Sequence, residues 1–213
     1  MQDTYYATRY SPDPARSVVW KEIVRYLMPF IPEGGAVLDL GSGYCDFINN
    51  IKVGRRIAAD CSQELKNHVG TGVEMLQTQA WDLTVIADAS LDVVHASNLL
   101  EHLTDEELEK TIAEARRVLK PGGRLILLQP NYRLAQKTYF DDPTHKKIFT
   151  DRSLQSFLES HGFRIVLARP RFLPFSLRSK PKLIPASALL ARLYINSPIK
   201  PFAGQMLFIA EKI

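Results

Sequence analysis

The stretch Val37-Leu38-Asp39-Leu40-Gly41-Ser42-Gly43-Tyr44-Cys45-Asp46 leaves this chain little freedom in how to fold. A short apolar run ends in an acid, and glycines follow at alternate positions. That pattern reads as a buried parallel strand turning tightly into a helix. Glycine permits positive φ in such a turn and lets a ligand approach bare backbone. The helix beyond presents unpaired N–H groups at its start. Alone, Gly-x-Gly is shared by many nucleotide-binding folds, so the rest of the chain must decide between them.

Strands are expected over Arg56–Asp60, Val73–Gln77, Leu91–Ala96, Arg124–Gln129, Phe163–Ala168 and Met206–Ala210. A first helix opens at Asp13-Pro14, the Asp as N-cap, and carries Val19, Ile23, Tyr26 and Leu27 at helical spacing up to Pro29. A short helix runs from Cys45 to about Ile51. Thr104-Asp105-Glu106-Glu107 is a capping box, followed by an apolar face of Leu108, Ile112, Ala115 and Leu119. Arg116, Arg117 and Lys120 fall in the last turn, before the stop at Pro121-Gly122-Gly123. Asp151 caps a further helix with Leu154, Phe157 and Leu158, ended by Gly162. Strands alternating with helices predict an α/β chain with a doubly wound, mostly parallel sheet and helices on both faces. Asp60 follows the glycine turn by roughly 20 residues, where a carboxylate in a βαβ unit can accept both hydroxyls of a ribose.

At 213 residues the chain fits one domain, 1–213, with an N-terminal cap helix and flap over 1–30 and a basic, Pro-rich insertion over 170–205. Tyr5-Tyr6-Ala7-Thr8-Arg9-Tyr10 reads either as a mobile tail or as that flap, closing over a ligand with Arg9 or Arg16 meeting a carboxylate. No run of about 18 apolar residues appears, the N-terminus lacks the pattern of a secretory signal, and Cys45 and Cys61 are too few for a disulfide framework. A cytoplasmic protein with reduced thiols is expected. The formal charge of +4 is unevenly spread. From Arg164 to Gln205 there is no Asp or Glu, but Arg164, Arg169, Arg171, Arg178, Lys180, Lys182, Arg192 and Lys200 give about +8, leaving about −4 elsewhere.

Taken together, Val37 to Gly43, Asp60, Ser90-Leu91-Asp92-Val93-Val94, Asn98 to Leu103 and Arg117-Val118-Leu119-Lys120-Pro121-Gly122-Gly123-Arg124-Leu125 resemble the class I S-adenosylmethionine (SAM)-dependent methyltransferases. The resemblance covers roughly Ala36 to Ala168. It implies a Rossmann-like seven-stranded sheet with an antiparallel last strand, SAM as cofactor and S-adenosylhomocysteine as product. It also implies cofactor contacts at Asp39, Gly41, Ser42, Gly43, Asp60, Cys61, Gln79, Ala80, Ser97 and Asn98. Within that set Asp39 would organise the turn, Asp60 hold the ribose, and Cys61 and Ala80 line the adenine pocket. The chain departs from the family at Gln79, where Asp is common, and at Cys45, where many relatives have a third glycine.

Methyl transfer from a sulfonium needs mainly proximity and in-line orientation, but an oxygen acceptor also needs a base. His145, after the fifth strand, is the candidate base, and Asn131 and Tyr132 are expected to shape the acceptor pocket. His102 reads as structural. Some relatives, including ubiquinone-pathway O-methyltransferases and small-RNA 2′-O-methyltransferases, carry Glu-x-x-Glu-His after the fourth strand and bind a divalent metal there. Here the segment reads Asn98-x-x-Glu101-His102, with His145 as a further donor. Asn is a poorer ligand than a carboxylate, so no metal is expected.

The segment after the fourth strand lacks the Asn/Asp-Pro-Pro-Tyr of enzymes that methylate amino groups of bases. The expected reaction is O-methylation of a small or lipid-linked acceptor such as a saccharide, by analogy with methyltransferases of bacterial surface-polysaccharide synthesis. The segment 170–202 reads first as a lid over the sheet edge, solvated by its arginines; the sharper alternative is a surface that meets anionic lipid headgroups, peripheral at the inner membrane surface, or a lipid-linked pyrophosphate substrate. A non-catalytic SAM-binding partner subunit and an RNA methyltransferase stand as alternatives, although nucleic acid is not the expected partner.

Overall fold

The computed structural model describes residues 14–174 and 187–213. The flap residues Tyr5, Tyr6, Arg9 and Tyr10, the Asp13 cap, and Arg178, Lys180, Lys182 and Ala186 lie outside the described residues. In chain order the elements are α1 (Pro14–Leu27), β1 (Ala36–Leu40), α2 (Asp46–Asn50), β2 (Arg55–Asp60), β3 (Glu74–Gln77), β4 (Leu91–Ser97), α3 (Asp105–Val118), β5 (Leu119–Pro130), α4 (Tyr132–Ala135), α5 (Asp151–Ser160), β6 (Phe163–Pro174), α6 (Ala188–Asn196) and β7 (Ala203–Lys212). The strands form one seven-stranded sheet in the order β3-β2-β1-β4-β5-β7-β6. β1 through β5 pair in parallel, and β7 enters antiparallel between β5 and β6.

Each face of the sheet has its own core, because side chains alternate along a strand. Leu38, Leu40, Val94, Ala96, Leu125 and Leu127 face α3 and α5, where Leu108, Ile112, Ala115, Leu154 and Leu158 are buried. Val37, Val93, Ile126 and Leu128 face α1, α2 and α6, where Val19, Ile23, Phe47, Ile48, Ala191 and Ile195 are buried. Burying each such aliphatic side chain is worth about 1.5–3 kcal/mol. The central strands are covered on both sides, so they read as nearly unbroken apolar runs.

Helix ends follow local chemistry. Thr104 Oγ1 accepts from Glu107 N while Glu107 Oε2 accepts from Thr104 N, closing the expected capping box. Three expectations are corrected. α5 is capped by Thr150, whose hydroxyl accepts from Ser153 N, and Asp151 is instead its first residue. α3 ends at Val118, and Leu119 already pairs with Leu91, so Lys120-Pro121-Gly122-Gly123 leads into β5 instead of following a helical turn. Lys120 is thereby free to reach Asp92, at 2.8 Å from both carboxylate oxygens. Finally, β6 and β7 are each longer than expected, since antiparallel pairing continues to Pro174 and Ala203.

Candidate functional site

The site is built at the C-terminal ends of β1, β2 and β4, where the strand order reverses and a doubly wound sheet opens a crevice. Gly41 N and Ser42 N both donate to Ala59 O, at 2.8 and 3.0 Å, bending the chain sharply off β1. Ser42 Oγ donates to Asp39 O at 2.6 Å. Gly43 has φ of +52°, and a side chain added there would meet open space, so its backbone faces the crevice bare. Cys45 continues the left-handed turn with φ of +58° as the N-cap of α2. Glycine would adopt that conformation without the strain a side chain brings. Here a buried thiol occupies it, pushed up to about 12 by burial first and then by Asp39, Asp60 and Asp46.

Asp60 ends β2, and each of its oxygens receives a backbone N–H: Oδ2 from Gly43 at 2.9 Å and Oδ1 from Ser62 at 2.9 Å. A carboxylate oxygen has more than one lone pair, so this carboxylate can also accept ribose hydroxyls while holding the turn. Cys61 stands beside it, half-buried, its thiol raised by burial and by Asp60. The loop after β3 is pinned by Thr78 N to Asp60 O at 3.0 Å and Asp82 N to Gln79 O at 3.0 Å, which brings half-buried Gln79 and Ala80 to the same edge. Ser97 and Asn98 close the other side. Asn98 has φ of +50°, and its side chain donates to Ser97 Oγ and accepts from Gln205 Nε2 at 2.8 Å. A bare backbone turn, a carboxylate at its rim and an adjacent half-buried loop fit SAM.

His95 is a participant that the sequence pattern did not single out. It sits opposite Asp39 in the parallel register of β1 and β4, and its Nδ1 lies 2.7 Å from Asp39 Oδ1. Both are buried. Phe47 stacks on the imidazole at 3.8 Å and Trp20 meets its ring edge-on at 6.0 Å. A histidine in an apolar strand is the available clue, but only sheet register shows that it reaches Asp39. Arg16 pairs with Asp46 at 2.5 Å, and its guanidinium lies over the Tyr44 ring. α1 is thus tied to the start of α2.

A second group gathers after β4 and β5. Glu101 and His102 lie on a single 3₁₀ turn, Leu100–His102. Lys146 N and Lys147 N both donate to Glu101 O, at 2.7 and 3.1 Å, which draws the loop carrying Asp142, Thr144 and His145 against that turn. The His102 and His145 rings come within 4.9 Å, and Tyr139 packs 4.5 Å from His145. The Glu101 side chain is 2 % exposed, and burial pushes its carboxyl up to about 8. Asp142 shifts the other way: burial opposes its ionisation, but Thr144's hydrogen bonds and the two histidines outweigh it. Tyr132 is half-buried against Tyr139, with ring centroids 5.2 Å apart.

Asn131 was expected to line the acceptor pocket. It is buried, its Oδ1 accepts from Arg133 N, and its Nδ2 donates to Asp151 Oδ1 and Pro170 O. Its amide therefore joins α4, α5 and β6, because the residue after β5 is also the N-cap of α4.

Comparison with known proteins agrees with this geometry. A family model described as a methyltransferase domain matches residues 14–168. An uncharacterized 37.1 kDa protein of transposon TN4556 from Streptomyces fradiae is 32 % identical over 130 residues, covering 56 % of this chain and 36 % of that protein. Dimethylglycine N-methyltransferase of Parasynechococcus marenigrum is 27 % identical over 146 residues, 61 % of this chain and 50 % of the enzyme. The chain thus spans a third to a half of these relatives' length. The crystal structure of a SAM-dependent methyltransferase from Archaeoglobus fulgidus superimposes with a TM-score of 0.68 at 22 % identity, covering 90 % of this chain and 92 % of that one. At that identity the likeness establishes the fold. With the matched family model spanning most of the chain, and a crevice that suits the cofactor, the protein belongs to the class I SAM-dependent methyltransferases.

Proposed function

We propose that the protein transfers the SAM methyl group to a hydroxyl oxygen of a small or lipid-linked acceptor such as a saccharide. The observation that carries this reading is the imidazole–carboxylate group of His102, His145, Glu101 and Asp142 after β4 and β5. An amine acceptor can react as its free base, whereas a hydroxyl must lose a proton as the methyl group arrives. His145 is the residue proposed to take it. Its Nδ1 is 2.6 Å from Tyr139 O, an acceptor, so Nδ1 carries hydrogen and Nε2 carries the lone pair. SAM supplies an activated methyl group; the chain supplies orientation through the glycine turn and Asp60. The curated relative's printed name specifies a nitrogen acceptor, so the oxygen reading rests on this chain's own residues.

The lipid-linked form of the acceptor is favoured by α6 and the turn after it. No helix among the described residues is long and apolar enough to cross a membrane. α6 buries Ala191 and Ile195 against α1 and turns Leu189, Leu190 and Leu193 outward, with Ile199 and Phe202 exposed beyond. Arg192 points the other way, to Glu22 at 2.9 Å. An outward apolar face within a segment lacking any acid suits an anionic lipid surface.

The test is incubation with methyl-labelled SAM and fractionated bacterial extract. Label in glycan or glycolipid, released as an O-methyl sugar on hydrolysis, is the expected result. Label confined to amines, RNA or protein would refute the proposal. A His145→Ala variant that retains full transfer would remove His145 from the role of base.

A further inference from the structure

We propose that Gln205, near the start of β7, is a positioning residue for the cofactor: it holds the Asn98 turn in place beside the glycine turn of β1. The inference rests on the reading of Asn98 as a cofactor contact and adds the residue that fixes it there.

Gln205 is out of keeping with its strand. Met206, Leu207, Phe208, Ile209 and Ala210 are buried apolar residues, and Gln205 is a carboxamide only 5 % exposed. A buried amide costs free energy unless it is hydrogen-bonded, so the position calls for a defined partner. Its Nε2 donates to Asn98 Oδ1 at 2.8 Å, 107 positions earlier in the chain. Beside it, Gly204 O accepts from Asn131 N at 2.8 Å. The start of β7 therefore grips the turns that follow both β4 and β5. At this level the strand ladder is weakened, because Gln205 pairs with Pro130, which has no N–H to donate.

Asn98 is the residue that needs holding. It is exposed, and it leaves β4 with φ of +50°, a left-handed conformation that residues with a side chain adopt reluctantly. Three hydrogen bonds oppose its relaxation. Asn98 N donates to Leu128 O at 2.8 Å, Nδ2 donates to Ser97 Oγ at 3.1 Å, and Oδ1 accepts from Gln205. The first fixes only the backbone nitrogen, and the second reaches no farther than the preceding residue. Of the three, the bond to Gln205 is the one that ties the Asn98 side chain to a distant strand.

The next residue carries the effect to the cofactor turn. A side chain added at Gly41 would meet Leu99 Cδ1 at 3.0 Å, so Leu99 already fills the space beside that glycine. Gly41 is where the chain bends off β1, its N–H bonded to Ala59 O at 2.8 Å. Relaxation of Asn98 toward negative φ would swing Leu99 away and leave the glycine turn unsupported on that side. Gln205 thus acts on the crevice through Asn98 and Leu99.

The experiment is a double-mutant cycle on the full chain with Gln205→Met, Asn98→Ala and the two combined. Methionine keeps the length and flexibility of glutamine without its donor. S-adenosylhomocysteine affinity is read by calorimetry well below each variant's melting temperature, which is measured alongside. Each single variant should raise the dissociation constant about tenfold, the equivalent of one hydrogen bond. The combined variant should bind within threefold of the weaker single one, since both changes remove the same link. A Gln205→Met protein that melts lower but binds as wild type does would make Gln205 structural only and overturn the proposal, as would independent, multiplying losses in the combined variant. Wild-type binding by Asn98→Ala would show instead that Asn98 does not face the cofactor, and the proposal would fall with that reading.

Discussion

Asp60 is asked to do two things, and separating them tests the cofactor site most directly. In the free protein its carboxylate accepts from Gly43 N and Ser62 N, so Asp60→Ala orphans two backbone donors. Each costs about 1–3 kcal/mol when buried, for a total of about 2–6 kcal/mol. For a domain of this size that lowers the melting temperature by about 4–24 °C. Binding loses a separate quantity. If the carboxylate accepts two ribose hydroxyls, each charge-assisted hydrogen bond is worth about 1.5–3 kcal/mol. The S-adenosylhomocysteine dissociation constant should then rise about 10²- to 10⁴-fold. Asp60→Asn distinguishes the two roles. It keeps one acceptor oxygen for the turn and should fold more stably than the alanine variant, while its neutral amide still binds the ribose more weakly than wild type. The assay is isothermal titration calorimetry with S-adenosylhomocysteine, run well below each variant's melting temperature. If Asp60→Ala binds within threefold of wild type, Asp60 does not hold the ribose.

His95→Phe preserves stacking on Phe47 but removes the hydrogen bond to buried Asp39, while also removing a buried Nε2 that has no partner. The opposing effects leave a net loss of about 1–2 kcal/mol, or about 2–8 °C in thermal denaturation; a shift under 1 °C would show the pair to be unimportant. At pH 8 an alkylating reagent should modify Cys61 before buried Cys45, and S-adenosylhomocysteine should slow the Cys61 reaction as followed by peptide mass spectrometry. Equal labelling of both thiols, or no protection, would remove Cys61 from the adenine pocket. Because the folded Cys45 thiol titrates near 12 against an ordinary 9, the unfolded chain loses that proton first. Its contribution to stability is therefore full below pH 9 and declines from pH 9 toward 12, an effect that Cys45→Ala should abolish in denaturant titrations across that range. Leu189→Ser with Leu193→Ser should cut sedimentation with anionic phosphatidylglycerol vesicles tens- to hundreds-fold, since two half-exposed leucines stand to bury about 2–4 kcal/mol of apolar surface. Undiminished sedimentation of that variant, or salt-sensitive RNA binding without vesicle binding, would count against lipid.

Much of the fold was written in local patterns. Alternating apolar runs and capped amphipathic helices are set by short-range chemistry, so β1, β2, β4 and α3 were legible along with the glycine turn. Boundaries were less so. Whether Lys120 to Gly123 belongs to a helix end or a strand depends on pairing with Leu91, and Thr150 competes with Asp151 for a cap by geometry that spacing does not fix. What only the tertiary structure decided is which side chains meet. His95 finds Asp39 through the register of two strands 56 residues apart in the chain, and Asn131 is consumed by Asp151 and Pro170. The same holds after β4, where the loop carrying Thr144 and His145 packs onto the turn of Glu101 and His102. Backbone conformation follows from near neighbours in sequence, whereas the protonation and direction of a buried polar group follow from neighbours in space.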